Sequence, residues 1–157
     1  MIKFISFLQI KVSACGGVCP TGWTMQDCHC FKIIQTAATW EDAEVNCIKK
    51  GGYLAAVTSQ EIQDRLVCLE SAEDFWIGLN DKAEEASYVW PNGEEYGAFT
   101  NWATVPHVTS ASKQYVKAVK TTGKWENVDG TAQLKYACEI DLNVRVRKAG
   151  IDLMLDS

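Results

Sequence analysis

The apolar run at the start of this 157-residue chain, Phe4-Ile5-Ser6-Phe7-Leu8-Gln9-Ile10, falls far short of the ~20 residues that a membrane-spanning helix needs. No transmembrane segment is expected from it. A clustered basic face is also missing. Lys and Arg number 15 against 20 Asp and Glu, a formal charge of -5, so the electrostatic footprint of a nucleic-acid-binding domain is absent and acidic substrates are disfavoured. There is no internal repeat. Cys28-His29-Cys30 could supply half of a metal site, but no second Cys/His pair stands at zinc-ligand spacing, and the cluster is read against zinc. Ser, His and Asp occur without any pattern that would bring a nucleophile, a base and an orienting group together, so the chain is not read as an enzyme.

What is present is apolar surface and cysteine. With 47% hydrophobic residues and six Trp, the chain can bury a sizeable core, and its length favours one domain. Seven cysteines point to an oxidising compartment, and the odd count leaves at least one over. Met1-Ile2-Lys3, the short apolar run and Val12-Ser13-Ala14 fit the charged, hydrophobic and small-residue regions of a secretory leader. Residues 1–14 are therefore expected to be a signal peptide, and the protein to be secreted and extracellular.

Phe75-Trp76-Ile77-Gly78-Leu79-Asn80-Asp81 reads as a buried strand, with Gly78 marking close approach of another strand or a second Trp ring. Upstream, Cys19-Pro20-Thr21-Gly22-Trp23 opens on a turn and Cys30-Phe31-Lys32-Ile33-Ile34 is a β run. A first helix starts at Thr39-Trp40-Glu41-Asp42 and ends at Gly51-Gly52, with Trp40, Ala43 and Cys47 on its buried face. Tyr53-Leu54-Ala55-Ala56-Val57 is a strand-like link. Thr58 and Glu61 form a second capping box, for a helix burying Ile62, Leu66 and Leu69. Downstream, Tyr88-Val89-Trp90 reads as a strand running into the turn Pro91-Asn92-Gly93. From there to about residue 113 the chain has no sustained period, and a long connection of this kind is usually functional; Phe99 and Trp102 pin it to the core. Tyr115-Val116-Lys117-Ala118-Val119, Gly123-Lys124-Trp125-Glu126 and the run from Leu134 to Ile140 read as closing strands. The core should include Trp40, Trp76, Ile77, Leu79 and Trp102.

The order of these signals resembles the C-type lectin-like domain family. The matching residues are Cys-Pro-x-Gly-Trp at 19 to 23, Cys30, Trp40 with Ala43 and Cys47, Gly52 with Leu54 and Ala55, Trp76-Ile77-Gly78-Leu79, Asn101-Trp102, Gly123-x-Trp125 and Tyr136-x-Cys138-Glu139. The resemblance implies an α+β double-loop fold over residues 15–141, with two helices packed on two small antiparallel sheets and a long ligand-binding loop; residues 142–157 would be a C-terminal extension. It implies a bridge from Cys47 to Cys138 and another from Cys19 to Cys30. The family's third bridge would fall at Tyr115 and Gly130, where both cysteines are missing, so the long loop should be less restrained. Cys15, Cys28 and Cys68 are extra; two can pair with each other, leaving the third free or available for an interchain disulfide dimer.

In sugar-binding members one calcium in the long loop bridges protein and sugar through oxygen ligands. The family's Glu-Pro-Asn motif falls here on Val105-Pro106-His107, the next acidic ligand on Lys113, and Trp-Asn-Asp on Trp125-Glu126-Asn127. These residues are the expected ligand-binding set, and they are poor in oxygen donors. Asp81 and Glu85 echo an auxiliary calcium site weakly, its other acidic positions falling on Val108, Lys113 and Gln114. No cofactor is expected, and calcium is disfavoured. The expected activity is binding of a protein, or of a glycan on a cell or extracellular surface, without bridging metal. One alternative is a lectin with a rewired site, in which Glu126, Asn127, His107 and aromatic rings hold sugar; another is a disulfide-linked structural or toxin-like subunit.

Overall fold

The computed structural model describes residues 15–70, 72–104 and 109–143. The expected leader, most of the expected C-terminal extension, and Val105, Pro106, His107 and Val108 lie outside the described residues. The first hairpin pairs β1 (Thr24–Gln26) with β2 (His29–Ala38). Its two connecting residues, Asp27 and Cys28, both have positive φ, 49° and 62°. This is the handedness that a two-residue hairpin needs to match strand twist, and Cys28 is held in it by a disulfide to Cys15.

Helix α1 (Trp40–Lys49) begins where the Thr39 hydroxyl accepts from the Asp42 N–H at 3.2 Å, with Glu41 and Asp42 in its first turn. It ends as a Schellman motif: Gly52 N–H donates to the Cys47 carbonyl and Gly51 N–H to that of Ile48, with Gly51 at φ +86°. The buried face carries Trp40, Ala43 and Cys47. After β3 (Tyr53–Leu54), helix α2 (Gln60–Leu69) departs from the expected start. Its cap is Ser59, not Thr58, because the Ser59 hydroxyl is the one that reaches the Ile62 N–H, at 3.2 Å. Ile62 and Leu66 are buried together with Gln63, whereas Leu69 is 36% exposed, so the buried stripe stops one turn short of the helix end.

Strand β4 (Phe75–Asn80) is buried at every position. A Cβ on Gly78 would lie 2.6 Å from the Leu54 carbonyl oxygen and 2.7 Å from Pro91 Cδ, so the glycine admits the backbone of β3 and a proline ring rather than a Trp. Strands β5 (Tyr115–Ala118), β6 (Trp125–Val128) and β7 (Leu134–Asp141) complete the set. The β6 strand is displaced toward the C-terminus from the expected run, since Gly123 takes a turn at φ +64°. Tyr88-Val89-Trp90 is not a strand; only an isolated bridge joins Val89 to Asn80. Two antiparallel ladders are present, one of β1, β2, β7 and β3 and the other of β4, β5 and β6, and a parallel pairing of β4 with β7 joins them into one mixed sheet.

One core cluster gathers Ile77, Leu79, Trp90, Trp102 and Trp125 with the apolar face of α2. A second gathers Trp40, Ala43, Cys47, Leu54 and Trp76 between α1 and the sheet. The indole donors are satisfied in place: Trp40 Nε1 donates to the Ile77 carbonyl and Trp76 Nε1 to that of Ala38, each at 2.9 Å. Three disulfides join Cys15 to Cys28, Cys19 to Cys30 and Cys47 to Cys138. Cys68 is free and exposed. No helix among the described residues is long and apolar enough to cross a membrane.

Candidate functional site

The β5–β6 ladder sets Val116 opposite Asn127 and Lys117 opposite Glu126. The irregular segment before β5 runs back across the start of β6. Trp125 N–H donates to the Asn101 carbonyl and Ala103 N–H to the Trp125 carbonyl, both at 2.9 Å, so residues 101–103 lie along β6 like a short added strand. Beneath them, Trp125 is ringed edge-on by Trp90, Phe99 and Trp102, with centroids 5.7, 5.9 and 5.8 Å away. Phe99 and Trp102 thus anchor the loop to the core, and the Trp125 indole is in turn held by a hydrogen bond to Gln63 Oε1.

Above this aromatic floor lies a shallow hollow of about 250 Å³ lined by Trp102, Ala103, Thr104, Lys113, Trp125, Glu126, Asn127 and Val128. The structure therefore brings together Lys113, Trp125, Glu126 and Asn127. The Glu126 carboxylate is 3.6 Å from the Lys117 ammonium. The Asn127 amide donates to the Lys113 carbonyl at 3.4 Å. Nearby, the Tyr88 hydroxyl has its pKa pushed up to about 12 by burial and by the Asp81 charge. The one carboxylate of this hollow, Glu126, pairs with Lys117, and Lys113 is a second cation in its lining. Ala103 and Thr104 were not singled out by sequence, although they directly follow the Asn101-Trp102 pair that carries the family pattern.

Asp81 and Glu85 stand in different settings. Asp81 is 1% exposed and its Oδ2 accepts from the Ala86 N–H at 2.9 Å, closing a turn, while Glu85 is on the surface. Asp81 Oδ1 is buried with no hydrogen-bond partner. A lone carboxylate is a poor set for an ion that takes about six to eight oxygens.

At the positions of the missing third bridge, the Tyr115 ring lies directly over Gly130, where an added Cβ would meet the ring at 2.7 Å. Tyr115 also packs on Trp40 with centroids 4.8 Å apart and donates its hydroxyl to Glu41 Oε1 at 2.5 Å. Gly130 accepts from the Trp40 N–H at 3.0 Å. A non-covalent clamp therefore stands where the family has a covalent one, and this end of the loop is held to α1.

Residues 36–140 match the lectin C-type domain family, two thirds of the chain. The chain belongs to that family. Over 126 residues it is 32% identical to the bovine secretory phospholipase A2 receptor, covering 77% of this chain but 8% of the receptor. It is 29% identical over 150 residues to Snaclec A11 of Macrovipera lebetinus, covering 87% of this chain and 92% of that protein. Among solved structures, a calcium-independent type II antifreeze protein superposes with a TM-score of 0.74 at 28% identity, covering 79% of this chain and 95% of its own. The lectin-domain assignment agrees with the two helices, mixed sheet and disulfides of the α+β fold.

Proposed function

We propose that this lectin-family domain is a secreted binding module whose ligand, a protein or an extracellular surface, docks over the hollow at Lys113, Glu126 and Asn127 without bridging calcium. The observation that carries this reading is the charge balance of the hollow. Lys113 lines it beside Glu126, and Lys117 already holds that carboxylate at 3.6 Å. A dication placed here would face the Lys113 ammonium, and among the described lining residues only Glu126, Asn127 and the Thr104 hydroxyl could offer side-chain oxygens, one carboxylate in all. The family positions at Val105, Pro106 and His107, outside the described residues, hold no carboxylate. Three disulfides support an extracellular setting. Sugar stacking is disfavoured because the rings of the hollow, Trp102 and Trp125, are 7% and 1% exposed and present no open face. The lectin family is typically non-enzymatic, and binding is the activity that the hollow serves.

Ligand binding to the native state raises stability with concentration over Kd. The melting temperature is expected to be the same in chelator and in millimolar calcium, and glycan-array signals, if present, the same in both. A calcium-induced rise that disappears in Glu126→Ala overturns the reading. A second reading, a disulfide-linked subunit, is favoured by the exposed free thiol of Cys68. It predicts a dimer band on non-reducing gels that is lost in Cys68→Ser.

A further inference from the structure

Away from the hollow, three side chains from separate parts of the fold converge. His29 opens β2, Glu139 lies on β7, and Glu94 follows the Trp90 turn; one potential ligand atom from each lies within 4.8 Å of the others. His29 Nδ1 is 2.5 Å from Glu139 Oε1. Glu139 is 1% exposed, and its Oε2 accepts from the Ala56 N–H at 2.7 Å, which sets the carboxylate plane. Asn92 ties the two acids together: its amide donates to Glu94 Oε1 and to Glu139 Oε1, both at 3.3 Å, and its Oδ1 accepts from the Glu94 N–H at 3.0 Å. His29 sits between two cysteines in different disulfides, with its ring stacked on Phe31 at 16°. Cys28 and Cys30 are consumed by those bridges, so the imidazole is the only metal-binding group of that tripeptide left free, and it meets carboxylates rather than a second Cys/His pair.

We propose that His29, Glu94 and Glu139 form a binding site for a divalent transition-metal ion of the zinc type. One imidazole nitrogen and two carboxylates match the ligand classes of such ions, whereas calcium needs more oxygens and no nitrogen. Metal–ligand bonds of about 2.0–2.2 Å put tetrahedral donors about 3.4 Å apart. The three donors reach that spacing if the His29–Glu139 contact, now 2.5 Å, opens by about 1 Å and the Glu94 carboxylate, within 4.8 Å of both, closes on them. Two carboxylates neutralise the dication, and all three ligands bind it in their deprotonated forms. The Asn92 and Ala56 contacts are outer-shell groups of the kind that orient metal ligands. Bound metal would pin the disulfide-linked N-terminal hairpin to β7, and the fourth position stays open to water.

The test is titration of the chelator-treated full chain with zinc chloride by calorimetry, with melting curves alongside. One ion per chain is expected, with a rise in melting temperature that calcium does not reproduce. His29→Asn and Glu94→Gln should each weaken zinc by more than ~10-fold, and Asn92→Ala by about 10- to 100-fold, the range for outer-shell groups; His107→Ala should leave it unchanged. Glu94 is a half-buried loop residue, so its variant reads the site even if His29→Asn disturbs the hairpin. Absence of heat, zinc binding that survives Glu94→Gln, or binding abolished by His107→Ala overturns the proposal.

Discussion

At the scale of single residues, Tyr115 and Gly130 pack against each other where the family resemblance implies a loop bridge. Placing a methyl at 130 drives it into the Tyr115 ring at 2.7 Å, and the ring cannot retreat without losing Trp40 and Glu41. Gly130→Ala is expected to cost about 1–3 kcal/mol, the usual range for overpacking, in equilibrium urea denaturation. In a Tyr115→Ala background the same change should cost less than it does alone, the non-additivity expected of residues in contact. Trp40 and Trp76 are both fully buried and each donates its indole hydrogen to a neighbouring backbone carbonyl. Replacing either by Ala should cost about 3–5 kcal/mol; a loss below ~1 kcal/mol for either would place the core elsewhere.

At the scale of elements, α2 shows how a local pattern can be satisfied by the wrong neighbour. Thr58 and Ser59 are both good caps, but the Ser59 hydroxyl makes the bond to Ile62 N–H. Ser59→Ala should therefore cost about 0.5–2 kcal/mol, whereas Thr58→Ala should stay within ~0.5 kcal/mol, as for a surface change. The other end of α2 is pH-sensitive. Glu70 is held below its usual pKa of 4.5 chiefly by the Lys135 hydrogen bond, with the Ala72 and Glu73 N–H groups helping. Its depressed folded-state pKa means that the contribution is present above pH 4.5 and is lost as pH falls through the lower folded value. Melting temperature should drop with acid in that window, and the drop should be shallower in Glu70→Gln.

At the scale of the whole molecule, the Cys47–Cys138 bridge spans 91 residues of sequence. On the chain-entropy account a loop of that length contributes about 4–5 kcal/mol, so Cys47→Ala,Cys138→Ala should lower stability by that order in denaturant titration. Peptide mapping without reduction should recover Cys15 with Cys28, Cys19 with Cys30 and Cys47 with Cys138, while a maleimide should label Cys68 alone in the native protein. Recovery of Cys68 in any intrachain pair would contradict the arrangement of the hairpin and α2.

The sequence by itself determined the fold family, α1 with its caps and the burial of the Trp76 strand, because each rests on local patterns: apolar period, capping chemistry, and the spacing of Trp, Gly and Cys. Its misreadings at Leu69, at the start of β6 and at Tyr88-Val89-Trp90 came from runs whose apolar character serves packing or turns rather than continued strand or helix. Lys113, Glu126 and Asn127 were legible as family positions, but their charge balance was not, since Lys117 reaches Glu126 only across the β5–β6 ladder. Only the tertiary structure decided that Tyr115 covers Gly130 and that His29 meets Glu139. Those partners are 15 and 110 residues apart in sequence, and the pairing of β5 with β6 and of β2 with β7 is what carries them to each other.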